Sequence, residues 1–139
     1  MLEKTLVLIK PDGVAKGLIG EIISRFERRS FNIRAMKLIK LSRDKAEVHY
    51  REHQGKQFFE RLIEFILSGP IIAMVVEGPG AIKAVRNMMG TTDPAEASPG
   101  TIRGDYALNI AQNIVHGSDS PESAAREIAN FFSNEEIIE

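Results

Sequence analysis

Two unbroken apolar runs, Leu6 to Ile9 and Ile71 to Val76, each followed by a stretch of helical periodicity, predict an α+β fold around a four-stranded antiparallel sheet. Residues 33–41 supply a further strand and residues 113–116 a short last one. The order strand, helix, strand, helices, strand, helix, loop, strand, helix is a ferredoxin-like βαββαβ plan with additions. In that plan the first and third strands are central, which agrees with their being the two apolar runs. Helices are expected on one face only. Both central strands offer apolar side chains to both faces, so the second face is expected to be hidden by another subunit.

Along the chain, the first strand covers residues 4–10 and stops at the turn Pro11-Asp12-Gly13. Leu18, Ile19, Ile22, Ile23 and Phe26 then recur at helical spacing up to Arg29. In the second strand Ile33, Ala35, Ile39 and Leu41 share one side, interrupted by Lys37. Ser42 caps a polar helix over 43–53, and Phe58 to Leu67 forms a more buried helix ended by Gly69-Pro70. Consecutive Phe58 and Phe59 cannot face the same way on a helix, which places one of them at the rim. The third strand, residues 71–76, leads to a helix over 81–89. From Gly90 to Gln112 no period is sustained, and an irregular stretch of that length inside a domain is usually functional. The last helix runs over 121–132, with Ala124, Ile128 and Phe131 inward. No repeat, low-complexity segment or linker divides the chain, so residues 1–139 are expected to form a single domain.

Composition narrows the function. Lys and Arg total 18 against 19 Asp and Glu, so no overall field recruits nucleic acid or an anionic membrane. There is no cysteine, which excludes disulfides, thiolate metal sites and a cysteine nucleophile. A strand that begins almost at Met1, with no apolar stretch of membrane-spanning length, gives the expectation of a soluble cytoplasmic protein. Neither a P-loop nor a G-x-G-x-x-G turn is present, so nucleotide phosphates would have to be held in another way.

The stretch N-I-V-H-G-S-D-S at residues 113–120 sets His116 at the seam between a strand and a well-signalled helix. Gly117 permits a tight turn, Asp119 or Ser120 caps the helix, and Pro121 suits its first position. A histidine beside unpaired helix N–H groups sits where phosphates bind. Taken alone, a histidine so placed is more often a core residue that ends a strand. His49 and His53 are four apart on the predicted helix, the spacing of a two-histidine face, but the sequence around them lacks the pattern of a zinc site.

Three segments together carry a resemblance: K-P-D-G at 10–13, T-T-D-P-A-E-A-S-P-G-T-I-R-G-D at 91–105, and N-I-V-H-G-S-D-S at 113–120. In this order and spacing they resemble the nucleoside diphosphate kinase family over essentially the whole chain. Asp93, Tyr106 and Ile110 differ from the commonest family residues without removing a catalytic group. The resemblance implies transfer of a γ-phosphoryl group from a nucleoside triphosphate to a nucleoside diphosphate through a phosphohistidine at His116. It implies that Lys10, Arg86, Thr92 and Arg103 hold phosphates, with His53 near the α-phosphate and Tyr50 close to the transferred group. Asn113 and Lys10 would meet the ribose 3′-hydroxyl, Phe58 and Ile110 would sandwich the base, and Glu127 and Ser118 would orient the imidazole. Mg2+ would be held mainly by nucleotide phosphates and water, with no protein metal ligand. A homo-oligomer, hexamer or tetramer, is implied as well. The rival expectation is a nucleotide-sensing or RNA-binding module on the same sheet; it is disfavoured because the central strands lack exposed aromatic residues and the charge balance is slightly negative.

Overall fold

A computed structural model describes residues 1–139. Strands β1 (Leu2–Ile9) and β3 (Ile71–Pro79) pair antiparallel at the centre, with Leu2 opposite Pro79 and Ile9 opposite Ile72. Strand β2 (Asn32–Ile39) flanks β3 and strand β4 (Val115–Gly117) flanks β1, giving the order β2-β3-β1-β4. The α+β class and the central position of the two apolar strands are as the sequence predicts. Five short or medium helices recognisable in the sequence and two further ones complete the chain: α1 (Pro11–Ala15), α2 (Ile19–Arg28), α3 (Arg43–His49), α4 (Phe59–Ile66), α5 (Ala81–Met89), α6 (Ile102–Tyr106) and α7 (Pro121–Phe131).

Alternation along the central strands divides the apolar side chains into two cores. Val7, Ile9, Ile72, Met74 and Val76 meet Ile22 and Phe26 of α2 and Val85 and Met89 of α5. Leu6, Leu8, Ile71, Ala73 and Val75 meet Ala46 of α3, Ile63 and Ile66 of α4, and Phe131 of α7. The expectation of helices on one face is therefore corrected. The crossovers α2 and α5 cover the first face as the plan requires. The segment between β2 and β3 carries α3 and α4 instead of a short hairpin, the chain continues beyond β4 as α7, and these three helices close the second face. With 15 and 14 buried residues the cores are nearly equal, so no partner subunit is needed to hide β1 and β3.

Four local differences follow from specific residues. Pro11-Asp12-Gly13 is the opening of α1 and not a bare turn, with Pro11 at its first position and Asp12 in its first turn. A bulge between Ile33 and Ala35 shifts the pairing of β2, so Ile33 lies opposite Val76 of the first core and Ala35 opposite Val75 of the second. These two residues do not share a face. The polar helix starts as expected, with the Ser42 hydroxyl accepting from the Lys45 N–H, but it ends at His49, and His53 belongs to a separate 3-10 turn, Arg51–His53. The irregular stretch 90–112 holds a 3-10 turn, Pro94–Glu96, and helix α6, whose N-cap Thr101 accepts from the Gly104 N–H. These are single turns, too short for a period to show in sequence.

Candidate active site

The site forms where β4 runs out beside β1. His116 lies opposite Leu8 in the ladder and so shares the second face, between the end of α3 and α7. Its neighbours Val115 and Gly117 pair with Ile9 and Val7. A Cβ at Gly117 would stand 3.0 Å from the Met89 sulfur, so glycine lets α5 come close enough for Arg86 to donate to the Gly117 carbonyl at 2.9 Å. Just before the strand, Ile114 adopts φ 74, a left-handed conformation that costs a β-branched residue about 1–3 kcal/mol. Both of its backbone groups are pinned there: its N–H donates to Asp12 Oδ2 at 3.0 Å and its carbonyl accepts from the Lys10 N–H at 2.8 Å. The strained turn thus ties the K-P-D-G segment to the chain entering His116.

His116 is 23% exposed in its side chain, and its Nε2 lies 2.8 Å from Glu127 Oε1. The same oxygen accepts from the Ser118 hydroxyl at 2.8 Å, and Ser118 Oγ accepts from the Leu6 N–H, which anchors the pair to the central strand. Burial alone would raise the Glu127 carboxyl, but the hydrogen bonds from His116 and Ser118 and the charge of Arg126 hold it below its ordinary range. A charged Glu127 accepts a hydrogen bond from Nε2–H and leaves Nδ1, which has no partner in the chain, as the unprotonated nitrogen of the neutral ring.

Cations and amides surround this pair from the other side. Arg103 is 5% exposed and spends three donors on the carbonyls of Asn113, Gly90 and Val115, at 3.2, 2.8 and 2.7 Å. Burial, and then the charge of Arg86, lower it to about 10. Lys10 donates to Asn113 Oδ1 at 2.9 Å, and the Asn113 amide donates in turn to the Thr92 carbonyl at 2.9 Å. Burial, and then the charge of Arg103, bring Lys10 down to about 8. Crowded, partly desolvated cations of this kind favour a polyanion between them.

A row of rings leads away from His116. His49 stands 4.6 Å from it between centroids, Tyr50 4.7 Å from His49, His53 6.4 Å from Tyr50, and Phe58 5.2 Å from His53. Burial, followed by the nearby charge of Glu127, pushes the Tyr50 hydroxyl up. Of the two adjacent phenylalanines, Phe59 is buried and Phe58 lies at the rim, 40% exposed. Ile110 is 59% exposed and takes part in none of the polar contacts above. The structure therefore gathers His116, Glu127, Ser118, Lys10, Asn113, Thr92, Arg86 and Arg103 into connected contacts, with Tyr50, His53 and Phe58 along one side.

The sequence reading gives three participants no role in the site and weighs His49 only as half of a two-histidine face. Asp12 had a signal in its place within K-P-D-G, and His49 had one in the inward spacing Ala46, His49, Tyr50. Arg126, which bonds Glu52 at 2.8 Å and approaches Glu127 at 3.7 Å, had none. The expected two-histidine face does not exist, because α3 ends between His49 and His53. His49, His116 and Glu127 do bring three donor atoms within 4.8 Å of one another. Two imidazoles and a carboxylate suit zinc-like ions better than Mg2+, and this carboxylate already serves two donors.

Comparison with known proteins bears on this arrangement directly. The nucleoside diphosphate kinase family profile matches residues 3–137. A nucleoside diphosphate kinase of Staphylothermus marinus is 64% identical over 137 residues, 99% of this chain and 97% of that protein. One from Carboxydothermus hydrogenoformans is 58% identical over 99% of this chain and 92% of its own length. The solved structure of a halophilic nucleoside diphosphate kinase from Halobacterium salinarum in complex with CDP matches with a TM-score of 0.97 at 45% identity, covering 100% of this chain and 93% of that one. Similarity in sequence and in fold runs end to end and takes in all three motifs that carry the resemblance, so the chain belongs to the nucleoside diphosphate kinase family.

Proposed function

We propose that this protein moves the γ-phosphoryl group of a nucleoside triphosphate to a nucleoside diphosphate in two half-reactions, through a phosphohistidine at His116. The observation that carries this reading is the 2.8 Å bond from His116 Nε2 to Glu127 Oε1, which leaves Nδ1 as the nucleophilic nitrogen beside a cluster of cations. In the first half-reaction the Nδ1 lone pair attacks the γ-phosphorus, the bond to the bridging oxygen breaks, and the diphosphate leaves. The Nε2 proton stays on the ring, and Glu127 stabilises the positive character that the ring acquires. In the second, a terminal oxygen of another diphosphate attacks the same phosphorus, the N–P bond breaks, and the neutral imidazole returns.

Phosphoryl transfer needs positioning and neutralisation of the equatorial oxygens more than covalent assistance. Lys10, Arg86, Arg103 and the Thr92 hydroxyl fill that role, with His53 at the α-phosphate and Tyr50 near the transferred group. Ser118 holds Glu127 in line. Lys10 and Asn113 meet the 3′-hydroxyl of the sugar, and Phe58 and Ile110 hold the base by apolar contact.

Mg2+ fits this site as part of the incoming nucleotide. Glu127 is already engaged and the free Asp12 oxygen is shut away from solvent, so the chain offers no oxygen cage of its own. Bound to the phosphates, the ion neutralises their charge. We also propose a homo-oligomer, a hexamer or a tetramer, on grounds different from a bare sheet face. The outer strand β2 leaves Met36 52% and Leu38 59% exposed, an edge suited to burial against another chain.

The test is incubation of the protein with ATP labelled in the γ-phosphate, without acceptor. One acid-labile, alkali-stable label per chain should appear on His116 and be discharged by any nucleoside diphosphate. Transfer that proceeds with no labelled protein would mean direct passage between two bound nucleotides, and the phosphohistidine route would be wrong.

A further inference from the structure

His49 is a titratable side chain packed directly against the proposed nucleophile, and the chemistry above gives it no task. It ends α3, is 7% exposed, and its Nδ1 is buried without a hydrogen-bond partner. Its ring meets three others edge to face: His116 at 4.6 Å and 81°, Tyr50 at 4.7 Å and 70°, and Phe131 at 5.5 Å and 81°. Tyr50 and Phe131 belong to the second core, so His49 is backed by close-packed side chains and cannot yield.

The Glu127 bond alone does not fix the imidazole of His116. The Cβ–Cγ axis, about which the ring turns, passes close to Nε2, so a hydrogen bond there acts on a short lever and resists rotation weakly. Nδ1 lies farther from that axis and sweeps through a larger arc. A second restraint on the ring plane is required to aim it, and a rigid ring standing perpendicular to it supplies one. We infer that His49 is a positioning residue, a wall that sets the ring plane of His116 so that Nδ1 points along the line of phosphoryl transfer; this rests on His116 being the nucleophile.

The wall has to be uncharged. A donor atom of His49 lies within 4.8 Å of a Glu127 oxygen, and a protonated His49 would draw that carboxylate away from His116. Burial, with the charges of His116, Lys10, Arg126 and His53 around it, holds His49 well below the ordinary range of a histidine. The carboxylate within 4.8 Å of it is Glu127, already shared between His116 and Ser118.

Three substitutions test the role: His49→Leu and His49→Gln, close to histidine in size but without a ring, and His49→Phe, which restores an aromatic wall without nitrogen. Misplacing a reacting atom by about 1 Å costs about a hundredfold. In His49→Leu and His49→Gln, kcat should therefore fall by between about 10- and 100-fold, while KM for both nucleotides and the melting temperature stay near wild type. His49→Phe should recover most of the loss. Nitrogen NMR of the histidines should show His116 as a single Nε2–H tautomer in wild type and as a mixture in His49→Leu. Unchanged kcat in His49→Leu, a loss that falls on KM, a His49→Phe as poor as His49→Leu, or an unaltered His116 spectrum would overturn the inference. Labelling of His116 by γ-labelled ATP, measured on the same preparations, keeps the two questions apart. A labelled wild type with any of those four results sinks the wall alone, whereas an unlabelled one sinks the nucleophile and the wall with it.

Discussion

The two faces of the sheet bury nearly equal cores from the same two strands, yet they carry different work. On the first face the row Val7, Ile9, Ile72, Met74 and Val76 is apolar, with the buried Thr5 a polar side chain at its end, and the helices above it add Ile22, Phe26 and Val85. On the second, the row through Leu6 and Leu8 continues across the ladder into His116, and α3 and α7 bring His49, Tyr50 and Glu127 down onto it. Most polar groups in that core have a partner, Glu127 in His116 and Ser118 and Ser118 in Leu6, while the unpaired His49 Nδ1 is an exception. Helices of the first face contribute only where they reach past the β4 edge, as Arg86 does to Gly117. The difference teaches that both faces stabilise the sheet, while the polar cluster is confined to the second and meets the first only at the shortest strand.

Substitutions should separate the two faces. His116→Asn on the second face should abolish transfer, by roughly four orders of magnitude or more, while nucleotide binding and the melting transition stay close to wild type. Steady-state assays and calorimetry on one preparation would check this; appreciable activity would break the mechanism. Phe26→Ala on the first face should do the reverse. Phe26 is fully buried, and its truncation should cost about 3–5 kcal/mol of stability in denaturant titration, with kcat per folded molecule unchanged.

Arg103 belongs to neither side alone, and its replacement should show both effects at smaller size. A charge-assisted hydrogen bond is worth about 1.5–3 kcal/mol, so Arg103→Leu should lower kcat/KM by roughly ten- to a hundredfold. It should also lower stability, since three loop and strand carbonyls lose their donor. A purely kinetic or a purely structural loss would show that the division between faces extends to the edge.

Sequence made the first face legible and the second only in part. Apolar runs and the spacing of Ile22, Phe26, Ile82 and Val85 were enough to place β1, β3, α2 and α5. The second face was read as bare because nothing in the residues between β2 and β3, or in α7, says which side of the sheet they will cross. That depends on the connection of the whole chain. Motif likeness nevertheless singled out His116, Glu127 and Ser118, which the structure brings within 2.8 Å contacts. It passed over His49 and Arg126, whose parts arise from packing between α3 and α7 and from no local pattern. Ile114 shows the same limit, since a left-handed isoleucine is held by contacts 102 residues away in sequence at Asp12.

Acidity provides a smaller probe of the junction. Lys10 is depressed to about 8 by burial and by Arg103, so in the free enzyme it loses its proton above that pH and no longer attracts phosphate. From pH 8 upward KM for nucleotides should rise, by up to about tenfold per unit. Stability should rise over the same window. Between about 8 and the ordinary lysine range the unfolded chain binds the proton that the folded one has released, so this group's contribution to stability increases with pH. Lys10→Met should flatten both trends, as measured by KM and by denaturant midpoint across that window; a wild-type midpoint that falls while KM rises would show that another group is responsible.

The smallest expected effect lies at the outer end of the second face, where partnered polar groups give way to exposed apolar ones. Phe58 and Ile110, proposed above to hold the base, are 40% and 59% exposed and carry no hydrogen-bonding side-chain atom, so contact with them would supply affinity without reading a hydrogen-bond pattern, because every base has a π-face. Strong selectivity would need buried donors or acceptors that the wrong base leaves unpaired. The polar groups proposed to meet the sugar are already committed, with Asn113 bonded to Lys10 and to the Thr92 carbonyl, and in that proposal they address a 3′-hydroxyl common to ribose and deoxyribose. Across ribo- and deoxyribonucleoside diphosphates with one fixed donor, kcat/KM should therefore vary only a few-fold, purines ahead of pyrimidines by their larger stacking area. Phe58→Ala should raise KM by a few-fold for all of them and narrow that order, whereas 3′-deoxy analogues should be poor acceptors. A thousandfold preference for one base would show that the rim reads hydrogen bonds after all, and full activity with 3′-deoxy acceptors would remove Lys10 and Asn113 from the sugar.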